Sequence, residues 1–145
     1  MTELVSQLIA NPQDGRIKRY LMSRSLRFRR ERQTLFAEGD YLPLAARGRK
    51  EDHVVAFARA WREQVAIVVT GRFFTRLALQ NQPPTGRSVC GDSAVALNHV
   101  SAAALYRDIF TGRRIHAERS GAGVELPLAQ IFTNLPMALL ERVKE

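Results

Sequence analysis

The chain has 145 residues, of which 46% are hydrophobic and 25% charged, with a formal net charge of +8. That composition predicts one compact domain with a real core, and the single cysteine, Cys90, excludes an intramolecular disulfide framework. No apolar run approaches membrane-spanning length and Met1-Thr2-Glu3-Leu4 lacks the basic-then-apolar order of an export signal, so a cytoplasmic setting and no membrane partner are expected.

Thr2 to Ala10 reads as a short amphipathic helix carrying Leu4, Val5, Leu8 and Ile9, ended by Asn11-Pro12-Gln13. A longer helix follows, with Asp14 as its N-cap and neither Pro nor Gly from Arg16 to Arg32. This helix holds eight of the 22 Lys+Arg and one of the 14 Asp+Glu residues, which is nearly all of the net charge. So concentrated a charge ordinarily points to nucleic acid or an anionic surface. At about 100° per residue, however, Ile17, Leu21 and Phe28 fall on one side and Met22 and Leu26 nearly opposite. Arginines fill the gaps around the circumference, Arg24 beside the first stripe and Arg29 beside the second, so no single basic face is expected. Two apolar stripes suit a helix packed between two layers, with arginine stems lying over apolar surface, and that reading is preferred to nucleic-acid contact.

The helix should stop near Arg32 or Gln33, and a short turn of helix from Thr34 through Leu35-Phe36 closes at Gly39-Asp40. The period then becomes extended. Tyr41 to Leu44 is a short strand that Pro43 assigns to an edge or a strand end, and Gly48 to Asp52 is a charged turn. His53 to Arg59 and Gln64 to Thr70 are two strands of a hairpin joined by Ala60-Trp61-Arg62-Glu63. Both are apolar on successive residues, which predicts central strands covered on both faces. Gln80 to Arg87 is the clearest exposed loop, Ser93 to Leu97 a further strand, and Asn98 to Leu105 helical by its alanines. Tyr106 to Phe110 runs as a strand into the Thr111-Gly112 turn, and Val124 to Leu128 and Leu135 to Leu140 supply the last strands. Helices followed by roughly six to eight short strands define a mainly β, α+β chain: residues 1–38 helical, residues 39–145 an antiparallel β-sandwich.

No constellation of residues announces a reaction. His53, His99 and His116 stand far apart with one cysteine, so neither a metal site nor a cofactor is expected. Cys90 lacks the local signature of a thiol nucleophile and reads as a small buried or partly exposed thiol. Glu51-Asp52, Asp92 and Asp108 lie in or beside turns and read as solvated turn carboxylates rather than a glycosidic pair. Trp61 offers a ring on which a sugar or a base can stack, as do Tyr41 and Phe73, although an aromatic packed over a sheet edge is the commoner case.

The order of motifs nevertheless resembles a known family. Asp14-Gly15-Arg16-Ile17-Lys18, Leu26-Arg27-Phe28-Arg29-Arg30-Glu31-Arg32, Leu35-Phe36, Gly39 to Leu44 and His53 to Arg59 together look like the C-terminal part of maltooligosyltrehalose synthase. Tyr106 to Arg113, Leu126 to Phe132 and Leu135 to Leu140 resemble its final strands. Gln33 stands where the family pattern has Pro, and Cys90 to Ser93 where it has Trp, an acid and a small hydroxyl residue.

The resemblance implies the α-amylase plan, with an intramolecular transglucosylation that gives the reducing end of a malto-oligosaccharide a trehalose-type linkage. The catalytic carboxylates of that plan belong to a (β/α)8 barrel N-terminal to the matched region, so by this resemblance the chain carries no catalytic residue. The opening helices would be the barrel-side junction, with Asp14, Arg16 and Lys18 near barrel or substrate. The expected partners are that barrel and, through it, malto-oligosaccharide. With the barrel absent from the chain, one apolar stripe of the central helix should be exposed, folded under the first helix or buried against a second copy. The alternatives are a free-standing carbohydrate-binding module and an arginine-rich RNA-binding domain.

Overall fold

The computed structural model describes residues 1–73, 84–98, 100, 105–121 and 123–143. Three helices open the chain: α1 (Thr2–Ala10), α2 (Arg16–Glu31) and α3 (Gln33–Glu38). Asp14 is not the N-cap of α2. That position belongs to Gly15, whose φ of 74° is left-handed, while Asp14 ends a short 3-10 turn, Pro12–Asp14. Its carboxylate still accepts the Arg16 backbone N–H at 2.9 Å, so the same side chain satisfies the helix start from one residue further out.

Ten strands lie among the described residues, and all their pairings are antiparallel. Strands β1 (Asp40–Leu44), β3 (Val54–Trp61), β4 (Gln64–Gly71), β10 (Met137–Arg142), β6 (Leu105–Asp108) and β7 (Arg114–His116) form one sheet in that order. Strands β2 (Ala46–Arg47), β5 (Ala94–Ala96), β9 (Gly123–Pro127) and β8 (Glu118–Ser120) form the second. β1 is an edge, where Pro43 removes no ladder hydrogen bond from a central strand. The hairpin turn is tighter than the sequence suggests. Trp61 pairs with Gln64, so Ala60 and Trp61 belong to β3, and only Arg62 (φ 52°) and Glu63 make the connection.

The six-stranded sheet is the middle of three layers. Val54, Ala56, Ala58, Val65, Ile67, Val69, Ala138 and Leu140 face the second sheet and meet Val95, Leu97, Leu126 and Phe132 there. Ala66 and Leu139 point the other way, against Val5, Phe28 and Leu35 of the helices, with Ile109, Phe110 and Leu135 alongside. The unbroken apolar run of β4 is thereby explained, because alternate residues serve two cores. β3 is covered less completely on the helix side, where Val55 is exposed but Trp61 packs against the helix-side core and Arg59 donates to the Phe36 carbonyl. Gly39 lets the chain leave α3 for β1, and a Cβ there would lie 2.3 Å from the Leu35 carbonyl oxygen and 2.9 Å from that of Ala60.

The sequence readings for Gln80 to Pro83, for His99 and for most of the alanine-rich stretch 98–105 fall outside the described residues.

Candidate functional site: the open face of the central helix

Helix α2 has two faces of different fate. Ile17, Tyr20, Leu21 and Phe28 pack into the helix-side core, Phe28 edge-on to Phe36 at 5.8 Å between ring centres. Polar side chains on the same side fix the helix to the turn after β6. The Tyr20 hydroxyl donates to the Phe110 carbonyl at 2.7 Å, and Arg24 donates to the Ile109 carbonyl at 2.8 and 3.1 Å. At the C-terminal end Arg32 pairs with buried Glu141, which Arg107 also contacts at 2.7 Å. A hollow of about 290 Å3 opens beside this cluster, but the carboxylate in it is already held by two arginines.

Among the described residues nothing covers the second stripe. Met22 and Leu26 are 55% and 62% exposed. Lys18, Arg19, Arg29 and Arg30 stand exposed on either side of them, and among the described residues none of these four has an ion-pair partner. The basic residues are therefore not spread evenly in effect: Arg24 and Arg32 are engaged by the fold and Arg16 by Asp14, while Lys18, Arg19, Arg29 and Arg30 leave a basic face with an apolar seam. Leu26 continues into an open groove of about 450 Å3 lined by Arg29, Arg30, Gln33, Phe36 and Ala37.

The sequence-level candidates occupy several places. Asp14, Arg16 and Lys18 sit at the exposed start of α2. Asp14 and Arg16 form a local ion pair at 2.6 Å, and the hydrogen bonds that Arg16 gives through its backbone and side chain hold the Asp14 carboxyl below the usual range. Trp61 packs against the helix-side core with the Arg62 guanidinium 5.5 Å from its ring centre. Tyr41 is 56% exposed and stacks on Phe57 at 5.0 Å. Phe73 is exposed, with the Arg72 guanidinium over its ring and His53 edge-on at 6.4 Å.

The reading of Asp108 changes, while that of Cys90 as an unreactive thiol is borne out and sharpened. Asp108 is buried, not solvated: its carboxylate accepts from the Phe110 N–H and the Thr111 hydroxyl and shapes the turn that α2 grips, while burial pushes its pKa up. Cys90 is fully buried in the inter-sheet core and its thiol is pushed up to about 11 by burial, which keeps it protonated and unreactive at neutral pH. Glu125, bound by Arg47 and Ser120, and Glu141 are buried carboxylates that strand patterning does not reveal. Among the described residues no three His, Cys, Asp or Glu side chains converge as a metal site would require, and no helix is long and apolar enough to cross a membrane.

Fold and open face together define a helix-fronted antiparallel β-sandwich that presents a basic, apolar-centred surface. Among solved structures the chain is similar to a mutant of maltooligosyltrehalose synthase from Arthrobacter ramosus, with 31% identity over 83% of this chain and a TM-score of 0.59. The likeness spans 13% of the synthase chain. No protein-family model matches the chain, and no curated protein matches it in sequence.

Proposed function

We propose that the chain acts as the non-catalytic C-terminal region of a maltooligosyltrehalose synthase-type enzyme. In this reading the open face of α2 seats the sandwich on a catalytic barrel, which supplies the carboxylates for transglucosylation. The observation that carries it is the joint likeness in sequence and fold to one part of such a synthase. The uncovered stripe of α2 supports it physically, because Met22 and Leu26 are large, apolar and in water, as surfaces of a missing neighbour are. Asp14, Arg16 and Lys18, at the exposed start of the same helix, are then placed at the barrel boundary.

The test is reconstitution. The purified chain should make no trehalose-ended product from maltopentaose. Added to a synthase truncated before its C-terminal region, it should restore stability or turnover. Product from the chain alone, or a truncated synthase indifferent to it, overturns the reading.

Tyr41 favours a second reading, a carbohydrate-binding module, since its exposed ring is braced from behind by Phe57 as a sugar platform is. Calorimetric titration with maltodextrin should then give heat that Tyr41→Ala abolishes; dilution heat only removes this reading.

A further inference from the structure

We infer that the occupant of the α2 face is a protein surface bearing an apolar ridge flanked by carboxylates, and not a second copy of this chain. The inference rests on the docking reading above for the use of the face and adds the chemistry of what covers it.

Charge complementarity decides against self-association. Exposed Lys18, Arg19, Arg29 and Arg30 bracket Met22 and Leu26, and these four cations outnumber the exposed acids of α2 and α3, Glu31 and Glu38. Asp14 is engaged by Arg16, and Glu31 is the only acid within α2. Two copies meeting through this seam would set cations against cations as the apolar residues were desolvated, which is the like-charge juxtaposition that specific interfaces avoid. A carboxylate-flanked partner reverses the sign of every one of these contacts, and arginine forks suit carboxylates in particular.

The shape and the apolar centre decide among anionic partners. Phosphate contacts would satisfy the cations but leave Met22 and Leu26 without a role. A lipid surface is flat on this scale and rewards a broad apolar face, whereas this one has two large exposed residues beside a groove. The groove between Leu26 and Phe36, walled by Arg29 and Arg30, matches the side-chain ridge of an amphipathic helix. An apolar centre with an arginine rim is also the composition of protein interfaces.

The experiment uses the full chain and a synthetic helical peptide with leucines on successive turns and glutamates on both flanks. Its controls are the same composition scrambled, polyuridylate, and phosphatidylserine vesicles, with sedimentation to follow oligomeric state. The patterned peptide should bind at least about tenfold more tightly than the scrambled one, weaken with salt, and lose most of its advantage on Leu26→Gln or on Arg29→Glu with Arg30→Glu. The chain should sediment as a monomer. Equal binding of both peptides, tighter retention on polyuridylate or vesicles, or a dimer broken by Leu26→Gln each overturns the inference. Failure here with successful reconstitution of the truncated synthase removes only the partner chemistry; peptide binding without reconstitution removes the parent enzyme and leaves the surface.

Discussion

Arg24 on the central helix donates from Nε and from a terminal nitrogen to one acceptor, the carbonyl oxygen of Ile109, at 3.1 and 2.8 Å. The acceptor lies in the turn after β6, whose backbone is held by the buried Asp108, so a local carboxylate and a distant guanidinium fix the same five residues, Asp108 to Gly112. Lysine keeps the charge but cannot span this site with a fork. Arg24→Lys should therefore lower unfolding free energy by about 1 kcal/mol, while Arg19→Lys on the exposed side should change it by less than about 0.5 kcal/mol. Urea unfolding of the two variants checks the contrast.

Glu141 is shared by Arg32 from the end of α2 and Arg107 from the neighbouring strand. Either arginine alone keeps the buried carboxylate paired, so Arg32→Ala and Arg107→Ala should each cost about 1 kcal/mol. Losing both leaves an uncompensated buried charge, and the double variant should lose about 3–5 kcal/mol, more than the sum of the singles. A double-mutant cycle measured by denaturant unfolding reads the excess directly, and simple additivity would contradict the shared pairing.

Cys90 should resist a thiol reagent such as dithionitrobenzoate at pH 8 in the folded chain and react in urea, because burial disfavours the thiolate and blocks access. The linkage has a definite sign. The folded thiol holds its proton up to about 11, above its unfolded value, so this contribution to stability is complete at neutral pH and is lost as pH rises through the alkaline range. Burial raises Tyr106 as well, and it acts in the same direction. Cys90→Ala should flatten the alkaline decline.

The Tyr106 hydroxyl is buried with no hydrogen-bond partner among the described residues, inside a core otherwise made of aliphatic side chains, Cys90 and Phe132. Desolvating a hydroxyl without compensation costs about 1–3 kcal/mol, so Tyr106→Phe should leave stability unchanged or raise it by about 1 kcal/mol. A clear loss of stability would show that the hydroxyl is satisfied after all.

Much of this organisation is local in origin and so legible in the residues themselves. The limits of α1, the two stripes of α2, the edge position implied by Pro43 and the pairing of β3 with β4 all follow from periodicity and backbone chemistry acting over a few residues. The helix-first, antiparallel-sandwich plan followed from the order of those elements. What periodicity leaves open is which of two equivalent stripes meets the sheet, and which carboxylates are enclosed. Asp108 and Glu141 look like ordinary turn and strand acids in sequence, yet one is buried under the helix contact and the other between two arginines from distant segments. The same holds for the candidate site. Neighbours far along the chain take Arg24 and Arg32 out of the basic surface and leave Lys18, Arg19, Arg29 and Arg30 in it, so only the tertiary structure turns an evenly charged helix into one with a packed face and an open one.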